Sequence, residues 1–386
     1  MKCYAFHFMP YGHLEEGYRE KYGSAWVTYP NSNFDPAIGN DLYRQYLDEL
    51  VYAADLGFDG VCVNEHHQTA YSLMPSPNLI ASALISRTKD AKVAILGNAL
   101  PLRKDPLRVA EEIAMLDNMS GGRIISGFIR GIGAEYHSHS ICPAESRERF
   151  WEAHDLILKA WTEDGPFAWE GKYFNYRKVN TWPRPFQQPH PDVWLPSTGS
   201  PETVTAAAER GYTYAQVFTP VKQTVKVFDQ YRDESAKAGW PDPDKRLAWH
   251  GVVYVADSDA QAEDEFWPHM DMYFNELFVN PIHRLFPVNY MTEQTLERVL
   301  ELRGNMALAK RQFKELVEAR TAIVGSVDTV IGMLEEVHDM LNFEHLIANV
   351  HLGGLSEEKT RGNIHHLATE VLPKIRNRRS ARATAA

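Results

Sequence analysis

The chain reads as an α/β protein, a (β/α)8 barrel of the TIM type with insertions after strand 1 and in the seventh unit. Three observations predict it. Short apolar or β-branched runs alternate with longer segments of helical period, the rhythm of a parallel sheet with crossover helices. Eight such runs occur along the chain. The helical segments also open and stop at Pro, Ser and Gly, the residues that bound helices.

The strands, in order, are 3–9, 60–65, 92–100, 123–131, 192–199, 212–218, 246–256 and 345–353. After the first insertion, "LYRQYLDELVYAADLGF" places Leu47, Leu50, Val51 and Ala54 on one helical face and ends at Gly57. "PLRVAEEIAMLDNMSGG" starts at Pro106 and stops at Gly121, and "SRERFWEAHDLILKAW" and "SPETVTAAAERG" behave alike. "SEEKTRGNIHHLATEVLP" follows the last strand. Two stretches break the rhythm, 10–40 and 281–321, and both are expected as lids or binding loops at one rim. "FAWEGKYFNY" reads as a small hairpin turning at Glu170-Gly171. The organisation expected is one barrel domain over 1–375 and a basic, disordered tail over 376–386.

Composition narrows the function. The 386 residues are 44% hydrophobic and 24% charged, with a net charge of −11. Nucleic acid is a poor partner for such a chain, because binding it needs a basic face. No run approaches the ~20 apolar residues of a membrane span, and the apolar run "MKCYAFHFMP" is too short to be expected as a signal peptide. Cys3, Cys62 and Cys142 are odd in number and far apart, which fits neither a disulfide scaffold nor a zinc ribbon. A cytoplasmic protein is expected.

In this architecture chemistry collects where strands end at their C-termini. Strand two ends in Glu65-His66-His67, strand three in Gly97-Asn98 and strand four in Arg130-Gly131. Strand five ends in Ser197-Thr198-Gly199-Ser200 and strand eight in His351. Gly199, Ser200 and Thr203 sit where a helix begins, a natural anion site with Arg130 as counter-charge; the plainer reading makes Ser200 a helix cap. For Glu65-His66-His67 a metal site, a hydrogen-bonded rim histidine and an acid/base histidine are all open. Neighbours on a strand face opposite ways, so His66 and His67 do not share one cavity, and no metal is expected.

The motifs "GFDGVCVNEHH", "LGNALPLRKDPLRVAEEIAMLDNMSGGRIISGFIRG", "VWLPSTGSPETVTAAAERG" and "NVHLGGLSEEK…LATEVLP" resemble, in order and spacing, the bacterial luciferase-like flavin monooxygenases. The resemblance runs from the first strand to the last helix. It implies reduced FMN as cosubstrate, supplied by a separate NAD(P)H:flavin reductase, and dioxygen added through a 4a-peroxyflavin. The substrate implied is a small apolar or aromatic/carbonyl molecule, and a homodimer is expected.

Carried over by position, His66 matches the family's catalytic histidine, with Glu65 or His67 fixing its ring. Gly97-Asn98 matches the place of a non-proline cis peptide bond beside the flavin ring. Arg130, Ser200 and Thr203, with Gly199 at the turn, match the phosphate pocket, and His351 is a substrate-side candidate. Luciferase itself carries a carboxylate at the place of Gly199, and its substrate does not carry over. The aromatics Tyr11, Tyr18, Trp26 and Tyr29 either line a substrate site or pack the first insertion onto the barrel. The alternatives are a deazaflavin-dependent hydride-transfer oxidoreductase on the same barrel and a non-catalytic flavin-binding protein.

Overall fold

The computed structural model describes residues 1–297 and 310–377. Its strands are β1 (Lys2–His7), β2 (Gly60–Val63), β3 (Lys92–Ala99), β4 (Ile124–Ile129), β5 (Phe167–Glu170) and β6 (Asn175–Val179). β7 (Asp192–Ser197), β8 (Thr213–Gln216), β9 (Leu247–Ala256), β10 (Ala322–Ser326) and β11 (His345–His351) follow. Parallel pairing runs β1-β2-β3-β4-β7-β8-β9-β11 and returns to β1, which closes an eight-stranded barrel. All eight strands expected from the sequence are present. Of the tail expected over 376–386, residues 378–386 lie outside the described residues.

β10 is an addition that the sequence reading lacks. It pairs with the upper half of β9, Ala322 opposite Val252 through Ser326 opposite Ala256, while the lower half of β9 pairs with β8. Five residues that include Gly325 give too little pattern to stand out directly after a long insertion. β5 and β6 form the expected hairpin, but its turn is longer: Gly171 N–H donates to the Phe174 carbonyl at 3.0 Å.

The helix after the first insertion begins at Pro36, six residues earlier than expected, because Asp35 caps it. The Asp35 Oδ1 accepts from the N–H of Ala37 at 2.7 Å, a satisfied start of the usual kind. Its buried stripe is Tyr46, Glu49, Leu50 and Ala53, and Leu47, Val51 and Ala54 flank it. Fully buried Glu49 in that stripe accepts from Gln45 Nε2 at 2.7 Å and faces His7 at 3.7 Å and His351 at 3.3 Å. The helix Pro106–Ser120 has the expected bounds, and Gly121 leaves it with φ +65°.

Inside the barrel, Trp194 packs against Tyr4 and His345 and closes the floor. Above them come Phe6, His250 and Ile347, and then the open mouth. Two glycines allow β3 and β4 to touch near that mouth. A Cβ on Gly97 would meet the Gly127 carbonyl carbon at 2.4 Å, and one on Gly127 would meet the Ile95 oxygen at 2.1 Å. At the same place the β3–β4 register slips, and the Leu96-Gly97 peptide is cis.

The first insertion is tied to the segment that leads into the second. The Ser24 hydroxyl donates to the Val279 carbonyl and the Tyr18 hydroxyl to Glu276, both at 2.7 Å. Of the four aromatics singled out in the first insertion, Trp26 reaches the cavity wall; Tyr11 and Tyr18 are buried in packing and hydrogen bonds.

Candidate active site

The mouth encloses a cavity of about 250 Å³. Phe6, Phe8, Phe218, Phe278, Trp26 and Tyr71 make most of it apolar, and Trp26 stacks on Tyr71 with ring centroids 4.0 Å apart. His66 enters this cavity just beyond β2, held by its N–H to the Met74 carbonyl at 3.1 Å. The rings of Trp26 and Tyr71 meet its imidazole edge-on.

The imidazole Nδ1 lies 3.0 Å from Glu135 Oε1. Glu135 is buried, and its other oxygen accepts the Ile132 N–H at 2.8 Å, so the carboxylate is fixed at the start of the helix Gly133–His139. A carboxylate on Nδ1 puts the proton there and leaves Nε2 as a lone pair for the cavity. The expectation that Glu65 or His67 orients this ring is therefore corrected. Glu65 accepts from His67 Nε2 at 2.7 Å, from the Ala99 N–H at 3.2 Å and from Arg103. It ties the end of β2 to the end of β3. His67 turns away from the cavity toward His139, 4.4 Å between ring centroids.

A cationic corner forms where β4 and β7 end. Arg130 donates to the Ser146 hydroxyl at 3.2 Å and to the Tyr290 carbonyl at 3.1 Å, and its guanidinium lies over the Tyr290 ring. Arg147, from the helix Ser146–Thr162, lies on the same wall. Burial and the charge of Arg130 lower its basicity, and Glu202, 3.3 Å away, opposes them. Ser200 and Thr203 complete the corner at the start of the helix Pro201–Glu209. Ser200 does not cap that helix through its side chain: its hydroxyl donates to Glu202 Oε2 at 2.8 Å. Thr292 and Thr295 also donate to Glu202, so the second insertion is clasped to this corner. Burial pushes the Glu202 carboxyl up, but hydrogen bonds from Thr292, Thr295 and Ser200 outweigh it and bring it to about 2.

Three other candidates are placed differently from expectation. The cis bond is Leu96-Gly97, one residue earlier than Gly97-Asn98, and Leu96 is the residue on the cavity wall. The Asn98 side chain is buried behind it, donating to Asn78 at 3.2 Å. Gly199 shapes the turn with φ +101° but does not line the cavity. His351 is not on the substrate side. Its Nδ1 is 2.9 Å from the Thr360 hydroxyl and 3.3 Å from Glu49, behind the barrel wall. The cause is a slip between β1 and β11: Phe6 pairs with Asn349 but His7 with His351, and the extra residue turns His351 outward.

Residues 25–342 match the family model described as luciferase-like monooxygenase. The chain belongs to that family. Among relatives of this luciferase-like monooxygenase is 4-hydroxyprotoasukamycin monooxygenase of Streptomyces nodosus subsp. asukaensis, 27% identical over 88% of each chain. Another is the oxygenase component of the flavin-dependent trigonelline monooxygenase of Acinetobacter baylyi, 22% identical over 86% of this chain and 90% of that one. The barrel superposes on the oxygenating constituent of 3,6-diketocamphane monooxygenase from Pseudomonas putida, solved with FMN. That match has a TM-score of 0.75 and 20% identity over 97% of this chain and 98% of the other, and it shows the shared fold.

The luciferase-like monooxygenase has residues that fit FMN. Two guanidiniums beside two hydroxyls at a helix start suit a phosphate dianion, and Arg147 Nη2 is buried with an ion pair to Glu202 at 3.3 Å but no hydrogen bond. Glu135, Arg147 and Glu202 were absent from the sequence reading. Glu135 stands six residues after the end of β4, a carboxylate near a strand end and the one legible hint among them. Among the described residues, no helix is long and apolar enough to cross a membrane.

Proposed function

We propose that the protein is the oxygenase of a two-component flavin-dependent monooxygenase. It takes reduced FMN from a separate NAD(P)H:flavin reductase and uses dioxygen to oxygenate a small apolar or aromatic/carbonyl substrate. The observation that carries this reading is His66: its ring lines an aromatic cavity while Glu135 holds Nδ1.

Arg130, Arg147, Ser200 and Thr203 would hold the FMN phosphate, and the wall at Leu96 would flank its ring. Bound reduced FMN supplies the electrons that activate dioxygen. His66 accepts or returns a proton at Nε2, and the Glu135 carboxylate stabilises the imidazolium that forms. The aromatic wall and the first insertion, tied at Ser24 to Val279, exclude water from that proton transfer. Three free cysteines, two of them buried, accord with a cytoplasmic setting. Exposed Leu79, Met115 and Met119 on the adjacent helices Pro77–Arg87 and Pro106–Ser120 support a homodimer.

Mixing the protein and reduced FMN with dioxygen tests the reading. Reoxidation slower than in free solution, together with turnover of an apolar carbonyl or heterocycle, is expected. Reoxidation at the free-solution rate overturns the oxygenase reading. Preferential binding of a reduced deazaflavin points to hydride transfer instead.

A further inference from the structure

His250 lies midway along β9, inside the barrel, and is 6% exposed. It lines the cavity, with Phe218 at 4.7 Å and Phe6 at 5.8 Å between ring centroids. Its Nε2 is buried without a hydrogen-bond partner, while its other ring nitrogen faces the residue's own main-chain carbonyl. A carbonyl accepts only, so this contact favours the neutral form with its proton on Nδ1 and an unused lone pair on Nε2. Burial pushes the imidazole down to about 3, so the ring stays neutral across the working range. Leaving a buried acceptor unpaired costs about 1–3 kcal/mol, so such an atom at a cavity wall marks a contact made by the occupant. Asn64, on the same wall, also lacks partners for both side-chain polar atoms.

We propose that His250 Nε2 accepts a hydrogen bond from an O–H or N–H on a flat aromatic ligand in this cavity, and that it favours ligands carrying such a donor. The proposal rests on the reading of this cavity as the ligand site, and it deepens that reading. His66 and His250 then divide the work. His66 has a carboxylate behind it and exchanges a proton; His250 has only a carbonyl and an apolar shell, so it holds the ligand by a neutral contact. Two sources carry the donor: a hydroxyl or ring N–H of the substrate, or the imide N–H of the flavin.

Two matched ligand pairs separate these sources, with Kd measured by titration in the absence of reductant. The first pair is 2-naphthol and 2-fluoronaphthalene; the second is oxidised FMN and its N3-methyl derivative. Each ligand is titrated into wild type, His250→Phe and His250→Gln. For one pair, the ratio of the two Kd values is expected to shift about tenfold between wild type and H250F, the equivalent of one hydrogen bond. His250→Gln, which keeps an acceptor, holds the ratio near the wild-type value. The pair that responds identifies the source.

The wild-type protein supplies a check free of folding effects: the ¹⁵N resonance of His250 Nε2 moves on adding the donor ligand and not its matched partner. Ratios that stay within about threefold for both pairs, an unmoved resonance, or no binding by any of the four probes overturns the proposal. No probe experiment uses dioxygen. A positive result with unslowed flavin reoxidation would therefore retire the oxygenase reading and leave the His250 contact standing.

Discussion

Glu135 and His66 stand 69 residues apart in the chain and 3.0 Å apart in the fold, carboxylate to Nδ1. Their contact decides which ring nitrogen of His66 the cavity sees. Glu135→Gln is expected to preserve the fold and to lower reductase-coupled turnover about 10–100-fold, with the pH profile of turnover displaced. An amide accepts only one of the two N–H bonds that the carboxylate takes, from His66 and from Ile132, and does not stabilise the imidazolium. Turnover and pH profile equal to wild type would remove Glu135 from the mechanism.

Glu65 stands beside His66 in sequence and has a different task. It is fully buried and joins His67, Arg103 and the Ala99 N–H. Glu65→Ala leaves those donors unmatched, and a loss of about 2–4 kcal/mol is expected in urea unfolding. His66→Ala, in contrast, removes a group at a cavity wall and is expected to cost far less stability than activity.

The cationic corner predicts a phosphate-specific effect. Arg130→Ala and Arg147→Ala should each weaken FMN about 10–100-fold and leave riboflavin, which lacks the phosphate, nearly unchanged. Flavin fluorescence titrations with both ligands read this directly. Equal losses for FMN and riboflavin would place the phosphate elsewhere.

Acid should weaken the fold before its carboxylates titrate. Burial lowers His7 and His345 to about 4, with the charge of Glu49 opposing it at His7. Burial likewise lowers His269 to about 4. The unfolded chain binds protons on these rings near 6.5, so between 6.5 and about 4 it holds more protons than the native state. The stability from keeping these rings neutral is complete above 6.5 and is lost as pH falls toward 4. Urea midpoints should be flat above pH 7 and fall steadily from pH 6.5 to 4.5. A flat profile down to pH 4.5 would show that these rings are not held neutral.

The barrel was legible in the sequence because its signals are local. Apolar runs, helix-bounding Pro and Gly, and strand length all act within a few residues, and they placed His66, Arg130, Ser200 and Thr203 at one rim. His66 and His67 do turn opposite ways, although both lie beyond the end of β2, where strand alternation no longer holds. The polar His250 inside the otherwise apolar run of β9 was a local signal of the same kind. What only the tertiary structure decided depends on pairing between distant segments. One extra residue between β1 and β11 turned His351 from the mouth to Glu49, since a single-residue slip exchanges the two faces of a strand. The register slip at Ile95–Asn98 put Leu96, rather than Asn98, on the cavity wall. Glu135 reached His66, and Glu202 reached Thr292 and Thr295, because closing the barrel brings strand ends and insertions to one mouth. Sequence periodicity records which face a residue takes along its own element; which residue it meets across the mouth is set by closure of the whole sheet.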